Sequence, residues 1–360
     1  MRWTQPYATM VDRNDTFARH QKTFMNMTMN MTIRWGILST ANIARAAVIP
    51  AIQAATNNEV VAVASRNTER AQAFANKLGI PRAYGSYEAL LDDADIDAIY
   101  IALPNSLHFA WAVRAAASGK HILCEKPLAM DASQCREMAS AAKENNVQLM
   151  EAFMYRFHPQ ITAALDLVHS GAIGELHHMH AAFTFRVTNS ANIRLQADLG
   201  GGSLMDVGCY CVNALRTFAG CEPVEVQATA IWHANGVDER LVGLLRFPNG
   251  LTGQFDSALN LARRETFLAA GTEATLELPR AYLPGVGDTI LRLRKVYGDA
   301  EEQTITGVDE YRLMVEHFSD CVRTGQPPRY SPEEAACNMN VITSLYRSAQ
   351  ENGQTVAVPT

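Results

Sequence analysis

Between Ile33 and Phe153, short apolar runs alternate with amphipathic stretches, and this alternation constrains the fold more than any other feature of the chain. RWGIL, EVVAVAS, DAIYIALP, HILCEK and QLMEAF read as strands. IARAAVIPAIQAA, TERAQAFANKLG, HFAWAVRAAASG and SQCREMASAAKENN read as helices, the first bent or interrupted at Pro50. AYGSYEALLDDAD holds a further short strand and short helix. The strands are apolar throughout instead of alternating, so both faces of their sheet are covered. That pattern belongs to a parallel sheet with helices on both sides.

After Glu151 the texture changes. LHHMHAAFTFRV, VEVQATAIWHA, ERLVGLLRFP, GLTGQFDSAL, ETFLAAG and ATLEL have period-two character, with hairpin signals at Asn235-Gly236 and Asn249-Gly250. The expectation is an α/β chain of two domains. Residues 32–152 would form a domain around the parallel sheet, and residues 153–360 a second one with a mostly antiparallel sheet. Two helical stretches close the chain. Residues 1–31 are basic, rich in Thr, Asn and Met, and lack a sustained apolar core, so a secretory signal is not expected. They read as a disordered tail or an over-extended gene start. Asp12 and Asp15 are out of place in a mitochondrial presequence.

Bulk properties narrow the function. A net charge of −6 gives no reason to expect nucleic acid, and no apolar run reaches about 18 residues, so no membrane span is expected. The seven cysteines include no C-x-x-C pair, which favours reduced thiols and a cytoplasmic location. No metal is expected either. The His177-His178-x-His180 run lies on a strand, where alternation splits its side chains between two faces.

Four stretches carry chemistry. In WGILSTANIA an apolar strand runs into small residues and then a helix, the setting in which a backbone turn and a helix N-terminus hold a pyrophosphate. Ser39, Ala41 and Ala44 stand where a G-x-G-x-x-G fingerprint would have glycines, and Ser39 and Thr40 add hydroxyl donors. At the end of the second strand, Ser65 and Arg66 replace the acidic residue that an NAD-specific site places on the ribose. A hydroxyl and a guanidinium suit a 2′-phosphate, which points to NADP(H) ahead of NAD(H). Glu125-Lys126-Pro127 ends a buried strand at the edge where open α/β sheets bind ligands. In GGGSLMDVGCY, a helix starting near Ser203 would put Asp206 and Tyr210 on one face.

Together these residues resemble the glucose–fructose oxidoreductase/inositol dehydrogenase/MocA family of NAD(P)-dependent oxidoreductases. The likeness runs from about Ile33 to the C-terminal helix. Its signatures are Glu125-Lys126-Pro127 and the Asp206…Tyr210 pair, supported by Pro104-Asn105-Ser106-Leu107-His108 and by MEAFMYRFHP at Met150–Pro159. The tyrosine form of the motif, FMYRFHP and LGGGSLMDVGCY are most similar to the branch with NADP-dependent xylose dehydrogenase, dimeric dihydrodiol dehydrogenase and glucose–fructose oxidoreductase. The family pattern of the first turn, G-x-G-x-x-[GA], is kept here only at Ala44.

The resemblance implies a sugar, polyol or cyclic-diol oxidoreductase, such as an aldose 1-dehydrogenase. It also implies that residues 32–152 form a Rossmann dinucleotide-binding domain and residues 153–360 an α/β substrate and oligomerisation domain with an open, mostly antiparallel sheet, through which a homodimer or homotetramer forms. It places the cofactor against Ser39, Thr40, Ala41, Asn42, Ile43, Ser65, Arg66, Arg70, Leu103, Pro104, Asn105, His108, Glu125 and Lys126. It places the substrate against Phe153, Tyr155, Arg156, His158, Asp206 and Tyr210, with Arg186 and Arg194 as outer candidates. Lys126, Tyr210 and Asp206 form the catalytic set. In this scheme Lys126 lowers the pKa of Tyr210 so that the phenolate takes the substrate proton, while Asp206 binds hydroxyls or orients Lys126. Two rival readings remain open: a sugar–sugar oxidoreductase with tightly held NADP, and a non-catalytic NAD(P)-binding regulator.

Overall fold

The computed structural model describes residues 31–359; the expectation for residues 1–30 lies outside them. Strand β1 (Ile33–Leu38) passes through the turn at Ser39 into a π-helical turn, Ala44–Val48, that continues as α1 (Ile49–Ala54). Pro50 sits at the start of α1 and has no N–H to give the preceding turn. The interruption expected there takes the form of a widened turn. There follow β2 (Asn58–Ala64), α2 (Thr68–Leu78), β3 (Arg82–Tyr84), α3 (Tyr87–Leu91), β4 (Ala98–Ile101), α4 (Asn105–Ala117), β5 (His121–Cys124), α5 (Ala132–Glu144) and β6 (Leu149–Glu151). Gly79 ends α2 with φ 68°, a left-handed conformation that costs glycine nothing.

The six strands form one sheet in the order β3-β2-β1-β4-β5-β6, parallel at every pairing. Order reverses between β1 and β4, which opens a crevice at the carboxyl edge of the strands. Ile37, Leu38, Val63, Ile99, Ile101, Ile122 and Leu123 are fully buried, as a sheet covered on both faces requires.

The second sheet begins after α6 (Pro159–His169) with β7 (Leu176–Arg186). A segment of short turns and α7 (Cys209–Ala219) separates β7 from β8 (Glu225–Trp232). β9 (Asp238–Arg246), β10 (Thr252–Ala258), β11 (Asn260–Gly271), β12 (Ala274–Leu278), β13 (Thr289–Lys295) and β14 (Ala300–Ile305) follow, and then α8 (Glu310–Thr324), α9 (Pro332–Gln350) and β15 (Val356–Ala357). These strands form a nine-stranded sheet, order β14-β13-β12-β11-β7-β10-β9-β8-β15, antiparallel except where β10 meets β7. Asn249 and Gly250 make the β9–β10 turn with φ 68° and 82°. The sequence reading has no counterpart for β13 and β14. AEEQTI carries two glutamates and an exposed edge, a composition that keeps edge strands from pairing further.

One late helix crosses back to the first sheet. Phe318 of α8 packs on Trp35 at 5.6 Å, and Ser319 donates to the Asn58 side chain at 2.6 Å. Arg323 donates to the carbonyls of Met31 and Asn57 at 2.8 and 2.6 Å. The two sheets are therefore joined by buried contacts as well as by the chain.

Candidate active site

Four stretches singled out in the sequence meet at the carboxyl edge of the parallel sheet. Ser39, Thr40, Ala41, Asn42 and Ile43 follow β1, while Ser65, Arg66 and Arg70 follow β2. Leu103, Pro104, Asn105 and His108 follow β4, and Glu125 and Lys126 follow β5. Ser39 has φ 112°, backbone territory that a side chain rarely enters. Its N–H bonds Ala64 O at 3.0 Å, locking the turn to β2. A serine thus occupies the glycine position with a glycine's conformation, and the turn keeps its shape without the glycine.

At the end of β2, Ser65 is buried and Arg66 is exposed, and no carboxylate lies at that position. Arg66 borders a groove of roughly 440 Å³ together with Ser86, Tyr87, Glu88, Leu107 and Trp111. Burial pushes the Tyr87 phenol up, while Arg66 and Arg70 nearby oppose that shift. A positive-φ turn ahead of a helix N-terminus, followed by a serine and two cations, fits a dinucleotide phosphate chain and a 2′-phosphate.

His108 is fully buried between two loops, with Nδ1 2.9 Å from Pro127 O and Nε2 2.9 Å from Leu103 O. It ties the loop after β4 to the loop that carries Lys126. Asn105 spans the two sheets' loops by donating to Gly200 O at 2.8 Å. A Cβ at Gly200 would come within 2.9 Å of Asn105 Cβ, so that seam needs its glycine.

Lys126 lies over this seam. Its Nζ donates to Asp206 O at 2.6 Å and faces Asp206 Oδ1 at 3.3 Å. The other carboxylate oxygen of Asp206 accepts from Arg194 Nε at 2.6 Å. Burial opposes the charge on Lys126, but Asp206, Cys209 and Glu125 together outweigh it and hold the ammonium above its ordinary pKa. Burial would raise Asp206, but Lys126 and Arg194 keep its carboxylate below the usual range. Glu125 is pushed up, mainly by burial, and accepts a hydrogen bond from the Tyr100 hydroxyl.

The helix carrying Asp206 starts as a π-turn, Leu204–Gly208, and becomes α7 at Cys209. Such turns are frequent at functional sites. Its entry is held from β9: Asp238 accepts from Ser203 Oγ at 2.6 Å and Leu204 N at 2.7 Å. Tyr210 enters a cage of rings, with Phe153, Phe183, Tyr282 and Tyr155 centred 5.1, 5.4, 5.6 and 5.8 Å away. Its hydroxyl faces Met154 Sδ at 3.5 Å. Lys126 Nζ stands 5.0 Å from the ring centre, a cation over the π face. The expected phenolate is therefore corrected. Burial, with Tyr311 and Glu125, drives the Tyr210 pKa well up, and the ammonium is not at its hydroxyl.

Of the residues expected at the substrate, Phe153 and Tyr210 meet in the cage. The Tyr155 hydroxyl donates to Asn213 Oδ1 at 2.6 Å, so Tyr155 supports the cage from behind. Arg156 pairs with Glu334 at 2.5 Å and stacks on Tyr330 at 3.5 Å. His158 caps α6, accepting from Gln160 N at 3.1 Å, and burial lowers its pKa to about 4. Arg156 is thus paired with Glu334 and Tyr330, and His158 has one nitrogen on the helix cap. Arg186 is exposed at the end of β7. Arg194, an outer candidate, belongs to the central cluster.

Phe183 and Tyr282 were absent from the sequence reading. Phe183 has an inward position on β7 that period two would have shown. Tyr282 sits in an irregular segment with no such signal. Among the described residues, no helix is long and apolar enough to cross a membrane. All seven cysteines are free.

Known proteins resemble this chain in sequence and fold. Residues 33–153 match the model of the GFO/IDH/MocA oxidoreductase family, NAD-binding Rossmann fold, and residues 161–277 match the family's C-terminal domain. The chain is 41% identical over 317 residues to D-xylose 1-dehydrogenase (NADP(+)) 2 of Haloferax volcanii, covering 88% of this chain and 97% of that one. It is 37% identical over 327 residues to trans-1,2-dihydrobenzene-1,2-diol dehydrogenase of Xenopus laevis, covering 89% and 98%. A 3-ketoreductase from Actinomadura kijaniata, solved with NADP and TDP-benzene, superposes with a TM-score of 0.85 at 31% identity, covering 88% and 98%. With both of its domains matched and relatives spanning nearly their full length, this chain belongs to the GFO/IDH/MocA family of NAD-binding oxidoreductases, enzymes acting on CH–OH groups.

Proposed function

We propose that this oxidoreductase interconverts an alcohol and a carbonyl on a sugar, polyol or cyclic diol, as an aldose 1-dehydrogenase does, using NADP(H) ahead of NAD(H). The observation that carries the reading is Lys126 held by Asp206 at the carboxyl edge of a dinucleotide-binding sheet. Ser65 and Arg66 at the end of β2 support NADP(H), since a 2′-phosphate finds a hydroxyl and a cation there and no carboxylate. The names of the xylose and dihydrodiol dehydrogenases support the substrate class.

When bound, the nicotinamide supplies the hydride acceptor or donor. The chain's own residues hold the substrate oxygen and handle its proton. Lys126 is an ammonium in this site, so it donates a hydrogen bond to the substrate oxygen. In the reducing direction it delivers a proton as the carbonyl becomes an alcohol. In oxidation the same position receives the hydroxyl proton only after the ammonium has passed its own to solvent. Tyr210 stays a phenol and offers a second donor from the cage wall. Asp206 fixes Lys126 and stabilises its charge.

The groove at Arg66, Tyr87 and Trp111 suits the adenosine end of the cofactor. We place a second copy of the chain on the outer face of the nine-stranded sheet, where Val242 and Ile231 are 53% and 52% exposed. Light scattering tests that placement, and a monomer at micromolar concentration contradicts it. The function is tested by a panel of aldoses, polyols and dihydrodiols with added NADP and NAD. Turnover of a sugar or diol with NADP at higher kcat/KM than with NAD is expected. Equal efficiency with the two nucleotides would remove the cofactor preference, and inertness across the panel would remove the substrate class. Release of NADP(H) from the purified protein on denaturation, with no turnover of added nucleotide, would favour the sugar–sugar reading.

A further inference from the structure

Asp206 engages two cations at once. Its Oδ1 faces Lys126 Nζ at 3.3 Å and its Oδ2 accepts from Arg194 Nε at 2.6 Å. With Oδ1 and Oδ2 each occupied, Asp206 is poorly placed to bind a substrate hydroxyl itself. Arg194 is different. A guanidinium carries five N–H donors, and Asp206 uses the one on Nε. Among the described residues no other hydrogen bond leaves this side chain, which rests 5.6 Å from the Phe185 ring. Its side chain is 38% exposed, against 12% for Lys126 and 14% for Asp206, so Arg194 forms the open side of the cluster.

Its position is built rather than incidental. Asn192 Oδ1 accepts from Arg194 N at 3.0 Å, and Gly202 N donates to Arg194 O at 2.9 Å. A Cβ at Gly201 would lie 2.5 Å from Arg194 O, so the glycine run exists partly to let this backbone come close. Arg194 is thus tied to Asp206 by its side chain, and its backbone is tied to Gly202, whose carbonyl accepts from Asp206 N at 3.0 Å. A salt-bridge partner for Asp206 alone would not need a planar fork with two unused NH2 groups.

We infer that Arg194 is a specificity-determining residue that donates to a second substrate oxygen, on the carbon next to the one that reacts at Lys126. The site then selects vicinal oxygens: a 1,2-diol in the oxidising direction and an α-hydroxy carbonyl in the reducing one. The inference rests on the proposed sugar or diol oxidoreductase activity and names its substrate feature. A site that hydrogen-bonds a substrate hydroxyl rejects the analogue lacking it, because its own donor is left unpaired once the substrate covers it.

The test compares two substrate pairs that differ by one hydroxyl: D-xylose with 2-deoxy-D-xylose, and trans-cyclohexane-1,2-diol with cyclohexanol. The wild type should favour the vicinal member by about 100-fold in kcat/KM. Arg194→Met should reduce that ratio to below about 5-fold, while Arg194→Lys, which keeps a cation for Asp206 but loses the fork, should fall between. A purely structural role for Arg194 would lower both members equally and preserve the ratio, which overturns the inference. Should Arg194→Met fail to fold, an unchanged ratio in Arg194→Lys overturns it as well. A wild type that turns over the pairs without preferring the vicinal member removes vicinal selection alone. A wild type inert on both pairs with either nucleotide removes the proposed activity along with it.

Discussion

The Lys126 ammonium lies 5.0 Å from the centre of the Tyr210 ring, over its face and not at its hydroxyl. The phenol points instead toward Met154 Sδ. This arrangement separates the charge from the group whose proton it was expected to loosen. A cation over the ring is attracted by the π face, but only a cation at the oxygen would strongly favour phenolate. Two donors therefore share the site, with different titration behaviour.

Tyr210→Phe separates them. Burial holds the phenol protonated well past pH 10, so no limb of the wild-type rate profile below that pH belongs to Tyr210. Removal of the hydroxyl should lower kcat by about 100-fold without moving the limbs of the kcat–pH profile. The cage keeps its rings, so the melting temperature should stay close to wild type. A limb near neutral pH that vanishes in Tyr210→Phe would show a lowered phenol pKa and contradict the geometry.

Asp206→Asn should move the other donor. The Asp206 carboxylate is the largest of the groups that raise Lys126 against the cost of burial, ahead of Cys209 and Glu125. Without it burial dominates, and the ammonium loses its proton at lower pH. The alkaline limb of carbonyl reduction should therefore shift to lower pH in the variant, with kcat at neutral pH reduced. Lys126→Ala should cost about 1,000-fold in kcat and leave nucleotide binding measurable. An alkaline limb at the same pH in Asp206→Asn and wild type would mean that Lys126 is not the titrating acid.

Away from the chemistry, Glu151 gives a stability prediction with a defined sign. Burial, with Glu334 nearby, raises its pKa from 4.5 to about 8, and its Oε1 accepts from Leu128 N at 2.7 Å. The folded protein keeps the proton that the unfolded chain sheds above pH 4.5. This contribution to stability is complete below 4.5 and is lost as pH rises toward 8. Glu151→Gln keeps the acceptor and removes the titration. Its melting temperature should match wild type near pH 4.5 and exceed it by a few degrees at pH 8. A difference independent of pH would show that Glu151 is not protonated in the fold.

The fold was legible where one physical rule governs a long run of chain. Strands buried on both faces read as unbroken apolar runs, and β1, β2, β4 and β5 were found that way. β14 escaped because an edge strand is selected against looking like one. Lys126 was legible because charge at the end of a buried strand is costly without a purpose. Arg194 was underweighted because its role depends on Gly201 and Gly202 folding back on its carbonyl, a contact without a local pattern. The partners of Arg156 and His158 were not legible either, because Glu334 lies far off in sequence and the bond from Gln160 N depends on the local cap geometry.

The turn after β1 joins stability to cofactor binding through a single side chain. Ser39 holds φ 112°, which costs a non-glycine residue about 1–3 kcal/mol. Ser39→Gly removes that strain, while the freer unfolded chain gives back about 0.4–1 kcal/mol. The balance favours the glycine variant by about 1 kcal/mol, a rise in melting temperature of roughly 2 °C. If the Ser39 hydroxyl donates to the pyrophosphate, the same variant loses a hydrogen bond to a charged group. NADP binding should then weaken by roughly 10-fold. Ser39→Ala separates the two effects, since it keeps the strain and lacks the hydroxyl. It should bind NADP as poorly as Ser39→Gly yet melt no higher than wild type. Isothermal titration and thermal melts on the three proteins decide the matter. Tighter NADP binding in Ser39→Gly would identify the serine as an obstruction that the site tolerates, and the hydroxyl as no part of the phosphate contact.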